Sequence, residues 1–238
     1  MSKLPVTRNI RFSVLNEKEI GMIHEKSLYL MEKFGMKISG EKSVEVLKKH
    51  GAAIDGGGNT VIAHIPPKLV EDAIRMTPKE LRLYTREGKE AMLINSAGQC
   101  YFGTHSDQLE IVDPYDGKAR PFLKKDIKTM CKVASALDNI YFVLSVGLTA
   151  DVAPEKQTLS TFIETLRNFD KTTNFSTNDI DSLQKCIDIA AELAGGKEEL
   201  QKKPFVFNYC EPIPPFTHPV ESTEKLRISA VNRIPFVY

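Results

Sequence analysis

The chain has 238 residues, 42% of them hydrophobic, with 26% charged and a net charge of +1; this is room for one large domain, or a small one plus most of another. So even a balance provides no basic excess for nucleic-acid phosphates or an anionic membrane surface. The longest apolar stretch, residues 140–150, is too short to span a bilayer and is broken by Ser145, Gly147 and Thr149.

Asn16 followed by Glu19 is a capping-box start. Ile20, Ile23, Met31 and Phe34 then share one helical stripe, and Gly35 marks its stop. A second helix is expected over 41–50, ending at Gly51. Segments 52–54 and 60–65, joined by Asp55-Gly56-Gly57-Gly58-Asn59, read as a β-hairpin. A phosphate loop would need a helix directly after the glycines, and here a strand follows. Pro66-Pro67 opens a helix over 68–76, and 81–84 reads as a short strand. Residues 1–95 are thus expected to form a small N-terminal α+β module.

From residue 96 the rhythm changes. A strand over 99–102 leads into the polar segment 103–107, then a hairpin over 109–113 and 118–121 with Pro114-Tyr115-Asp116-Gly117 at its turn. Helices over 124–137, 155–168, 180–193 and 219–232 alternate with apolar strands over 140–147, 171–177, 204–209 and 234–238. This alternation predicts a parallel sheet covered on both faces. The fold class expected is α/β, an incomplete TIM (β/α)8 barrel of about five strands over 96–238, truncated after the fifth. An open doubly wound sheet fits the same pattern, but no GxGxxG opens a helix. With an apolar strand as its last element, the chain reads as the front part of a larger α/β enzyme.

The four cysteines, Cys100, Cys131, Cys186 and Cys210, form no CxxC and have no zinc-ligand spacing with histidine. They are expected to be small buried hydrophobes in helices and strands, reduced, in a cytoplasmic protein. The N-terminus has no apolar core of a signal peptide.

In a barrel, chemistry belongs at the C-terminal strand ends and the loops beyond. Those positions hold Thr104, His105, Ser106 and Asp107; Thr149 and Asp151; Thr177, Asn178 and Asp179; and Asn208, Tyr209, Cys210 and Glu211, followed by a proline-rich loop with Phe216 and His218. His105 beside Asp107 has the composition of a general acid–base pair, though such a histidine is more often bonded locally in its loop. Glu211 could neutralise a cationic substrate or simply sit in solvent. Tyr209 and Phe216 could wall a cation or merely pack. Asp179 suits a helix N-cap. No nucleophile elbow, HExxH or P-loop occurs, and the five histidines form no metal motif.

The run Phe102-Gly103-Thr104-His105-Ser106-Asp107, continuing through Val112-Asp113-Pro114-Tyr115-Asp116-Gly117-Lys118-Ala119-Arg120-Pro121, resembles the trimethylamine methyltransferase (MttB) superfamily. Asp126, Ala136-Leu137-Asp138-Asn139-Ile140 and Ile65-Pro66-Pro67-Lys68-Leu69 extend the likeness. The resemblance implies a TIM barrel with an added N-terminal segment, moving a methyl group from a tertiary or quaternary amine, glycine betaine among them, to the Co(I) of a separate corrinoid protein. It implies no cofactor bound directly: the corrinoid travels on its cognate partner, and a homo-oligomer is compatible with the fold. His105 and Asp107 would be catalytic, and Thr104, Asn178, Tyr209, Glu211 and Phe216 would bind the amine. His105 and Asp107 depart from the glycine-rich form expected in that loop, which leaves the substrate open. The competing expectation is an inactive fragment or subunit that needs a partner chain to complete the barrel.

Overall fold

The computed structural model describes residues 13–96, 98–105 and 107–238; the N-terminus and Ser106, both considered above, lie outside them. Helix α1 (Glu17–Lys33) opens on the expected capping box, with the Asn16 side chain accepting from the Glu19 N–H and Glu19 accepting from the Asn16 N–H. Strand β1 (Met36–Ser39), helix α2 (Glu41–Lys49), hairpin strands β2 (Ala53–Asp55) and β3 (Thr60–His64), and helix α3 (Pro67–Met76) follow. The stripe on α1 is not a core face: Ile20, Ile23 and Phe34 are exposed. The helix is tied down by polar contacts instead, His24 to Glu71 of α3 at 2.6 Å and the Glu32 carbonyl to His64 of β3 at 2.9 Å.

Strands β4 (Glu80–Tyr84) and β5 (Glu90–Asn95) form a hairpin, then β6 (Phe102–Gly103) precedes the hairpin β7 (Glu110–Val112) and β8 (Ala119–Pro121). The chain continues through α4 (Lys124–Ala136), β9 (Ile140–Leu144), α5 (Pro154–Asn168), β10 (Thr172–Phe175), α6 (Ile180–Ala194), α7 (Lys197–Lys202) and β11 (Val206–Tyr209). It ends with β12 (Thr217–His218), α8 (Val220–Val231) and β13 (Phe236–Val237). None of the described helices is long and apolar enough to cross a membrane.

Two compact units result. The first holds residues up to Glu80 with 95–99 and 211–224, and its sheet has the order β12-β1-β3-β2. The second holds 81–94, 100–210 and 225–238 around a five-stranded sheet ordered β13-β11-β10-β9-β6. All of its pairings are parallel and it curls as a half-barrel, the expected incomplete TIM barrel. The sequence draws a boundary near residue 95, whereas by packing the β4–β5 hairpin goes with the sheet and 211–224 with the N-terminal elements.

Register sorts the half-barrel's faces. Val143, Thr173 and Val206 lie side by side, with Val143 and Val206 meeting the helical layer. There Phe162, Leu183, Ile187 and Ile228 form the main core, since strands covered by helices must be apolar outward. Leu144, Asn174 and Phe207 occupy the opposite, inward face. Phe207 and Phe142 pack on Leu83 and Met92 of the β4–β5 hairpin. Thr172 at the start of β10 donates to the Tyr84 carbonyl at 2.8 Å, and the Tyr84 N–H donates to Pro204 at 2.9 Å. The hairpin therefore stops the N-terminal end of the half-barrel, leaving its chemistry-bearing end opposite.

Candidate functional site at the strand ends

Each turn beyond the sheet is held by identifiable bonds. Thr104, read above as substrate-binding, has its hydroxyl engaged with the backbone of Leu144, accepting from the N–H at 3.1 Å, so it fastens β6 to β9. The Asp107 N–H donates to Ser145 at 2.8 Å, and Leu148 donates to Gln108 at 3.0 Å. This pins the loop after β6 to the turn after β9. Asp107 takes a left-handed backbone, φ 53°, which asparagine and aspartate tolerate better than most residues. Gly147 passes the Phe122 ring so closely that a Cβ there would lie 2.5 Å from it.

A cleft of about 110 Å³ lies among these turns, lined by Asp107, Ser145, Gly147, Leu148, Thr158, Thr161, Ser176 and Asn178. Two of the expected site residues, Asp107 and Asn178, thus meet in one place. His105 is exposed, and its Nδ1 lies 2.7 Å from the Gln108 side-chain amide nitrogen. Tyr209 ends β11 half-buried. Glu211 and Phe216 belong to the first unit, Glu211 exposed and Phe216 46% exposed with φ 46°. Asp179 is the N-cap of α6, accepting from Ser182 at 2.7 Å, as the sequence implies.

Two features were not found in the sequence. Lys225 of α8 is buried, and its ammonium donates to the carbonyl of Thr177 at the end of β10. A lysine inside an amphipathic helix carries no signal of burial in the sequence. Arg120 donates to Asp113 at 2.8 Å and to both oxygens of Asp126 at 2.7 and 2.8 Å. Asp126 also accepts from the Leu123 N–H, so one guanidinium locks the β7–β8 hairpin to the start of α4. Arg120 and Asp113 fall within the run that carried the resemblance and Asp126 extends it, but their pairing is visible only in space.

The thiols act as packing groups. Burial pushes Cys131 and Cys186 up to about 12 and Cys210 up to about 11. Cys100 corrects the expectation of burial: it is exposed and lies outside the strand, because β6 is only Phe102–Gly103.

A half-barrel stopped at one end, with polar turns at the other, is the scaffold of a (β/α)-barrel enzyme. The family model for trimethylamine methyltransferase (MTTB) matches residues 1–238, and the chain belongs to that family. Trimethylamine methyltransferase MttB of Desulfitobacterium hafniense (strain DSM 10664 / DCB-2) is 27% identical over 202 residues, 84% of this chain and 40% of the relative. Glycine betaine methyltransferase of Desulfitobacterium hafniense (strain Y51) is 22% identical over 211 residues, 87% of this chain and 42% of the relative. Proline betaine:corrinoid methyltransferase of Eubacterium limosum is 27% identical over 84 residues, 35% of this chain and 16% of the relative. The chain spans less than half the length of these curated relatives.

Proposed function

We propose that the chain serves the transfer of a methyl group from a methylated amine, tertiary or quaternary, to the Co(I) of a corrinoid carried by a separate protein. The observation that carries this reading is the family match along the whole chain, laid on a half-barrel with polar strand ends. The names of the relatives support an amine or betaine donor, and that of the Eubacterium limosum protein supports a corrinoid acceptor.

In either donor the nitrogen is positively charged. The methyl leaves without its bonding pair, which stays on nitrogen, and the amine departs neutral; Co(I) supplies the pair for the new bond. Such a displacement asks the protein for alignment and for charge complementary to the ammonium. Within the second unit, Asp107 is suited to meet the cation and Tyr209 to offer it a ring face. Thr104 and Asn178 shape the mouth. A tertiary amine must react as its ammonium form, since expelling an amide anion is prohibitive, and His105 is suited to hydrogen-bond that N–H. The high thiol values of Cys131, Cys186 and Cys210 argue against a methyl relay through these cysteines.

The test is to incubate the chain with trimethylamine or glycine betaine and a reduced corrinoid protein, following the loss of Co(I) absorbance. Conversion that requires both the chain and the amine supports the reading; none with any methylated amine, even after adding the C-terminal half of a relative, counts against it. A second reading rests on the two open edges of the parallel sheet, β6 and β13: the chain is inactive until a partner chain completes the barrel. Activity that appears only with the added half would favour it.

A further inference from the structure

Helix α1 carries a pattern that neither methyl transfer nor its own packing accounts for. Ile20, Ile23, Ser27, Leu30 and Phe34 follow one another at spacings of three, four, three and four residues. That is the a–d repeat of a coiled-coil seam, sustained over two heptads. A helix laid on a globular core shows a broader apolar stripe, and the core takes it in. Here the seam stays open: Ile20 is 47% exposed, Ile23 54% and Phe34 64%, and no residue of α1 is buried. His24, which reaches Glu71 of α3, lies beside the seam rather than in it. Ser27, the one polar member, already donates its hydroxyl to the Ile23 carbonyl at 2.9 Å, so covering it strands no polar group. A repeat of 3.5 residues keeps its apolar positions in contact along their length against a second helix.

The charges beside the seam decide which helix that is. With Ile20 counted as a, the flanking g positions are Glu19, Lys26 and Lys33. In an antiparallel pair g positions face one another, so α1 laid against a second copy of itself sets Glu19 opposite Lys33 at both ends. The acidic first turn thereby meets the basic last turn, and the two helix dipoles oppose. Glu19 uses one carboxylate oxygen in the capping box and keeps the other for this pairing. Lys33 now rests on its exposed neighbour Glu32 at 3.1 Å, a contact that is easily exchanged. Lys26, near the twofold axis, is drawn aside, its ammonium 5.9 Å from the centre of the Tyr29 ring. A parallel pair would set Lys26 against Met31 and lose both ion pairs. In the antiparallel register Ile20 packs on the second copy's Leu30, and the small Ser27 makes room for the second copy's Ile23.

We propose that α1 is a self-association surface, which pairs antiparallel with α1 of a second copy of this chain. Ile20, Ile23, Leu30 and Phe34 are enclosed between the copies, and a Glu19–Lys33 ion pair closes each end. The surface is independent of the methyl-transfer reading, and separate from the open sheet edges at β6 and β13.

The experiment is sedimentation equilibrium of the 238-residue chain at micromolar concentrations. The expected result is a species of twice 26.7 kDa. Ile23→Glu, at an exposed position, should raise the dissociation constant about thirtyfold and leave the far-ultraviolet dichroism unchanged. Lys33→Glu should raise it roughly fivefold by placing like charges together at both ends. Adding Glu19→Lys to Lys33→Glu restores opposite charges and should recover most of that loss. If Ile23→Glu alters the dichroism, Ile20→Lys takes its place. A chain of 26.7 kDa at every concentration would overturn the proposal. A dimer that neither Ile23→Glu nor Lys33→Glu weakens would also overturn it, in favour of pairing at the sheet edges.

Discussion

Arg120 stands between Asp113 and Asp126, and the two carboxyls record it: hydrogen bonding to the guanidinium holds both below the usual carboxylate value. A carboxyl depressed in the folded state adds stability that is complete above its unfolded value, near 3.9, and is lost as pH falls through the lower folded value. Acid unfolding of the native chain should therefore extend below pH 4. The Arg120→Met variant should lose stability at neutral pH, and its loss relative to the native chain should shrink on acidification. A pH series of denaturant melts reads both effects. The thiols give a second residue-level expectation: at neutral pH iodoacetamide should modify Cys100 readily and leave Cys131, Cys186 and Cys210 untouched until the chain unfolds. Mass spectrometry of the labelled peptides checks it. At this scale the sequence was only partly legible. It named Asp107 and Asn178, because strand ends can be counted, and missed Ser145 and Ser176, because nothing in a linear chain tells a packing hydroxyl from one facing a cleft.

The elements were more legible where local chemistry is decisive. The capping box at Asn16, the proline at the start of α3 and the Asp179 cap all announce helices, and all are present. Asn16→Ala should cost about 1 kcal/mol, visible as a lower urea midpoint. Leu183, fully buried in the core between sheet and helices, should cost about 3 kcal/mol as Leu183→Ala. Gly147→Ala must push the Phe122 ring aside and should cost roughly 1–3 kcal/mol by the same measurement. The elements missed were those defined by partners. Strand β1 is four residues between two glycines and becomes a strand by pairing with β3 and β12. Strand β12, two residues in a proline-rich loop, is defined by its pairing with β1 and a bridge from Thr217 to Ile213. Strand β5 is stabilised by Met92, which packs under the half-barrel with Phe207, a contact far apart in sequence.

For the whole molecule, the alternation of apolar strands and amphipathic helices was enough to give the parallel half-barrel, since both faces of such a sheet must be covered. What pattern alone could not separate, a barrel from an open doubly wound sheet, is decided by the curl of the sheet and by the β4–β5 hairpin that fills its N-terminal end. Family membership places this scaffold with polar strand ends in the trimethylamine methyltransferase family, and the proposed chemistry follows from the positive nitrogen of a quaternary or protonated tertiary amine. The most direct measurement of that chemistry uses a donor with isotopically labelled N-methyl groups, the chain, a reduced corrinoid protein and, in a parallel sample, the C-terminal half of a relative. The account predicts that label appears on cobalt in equal amount to the demethylated amine released, in one sample or both. Demethylated amine without label on cobalt, or no demethylation in either sample, would contradict it.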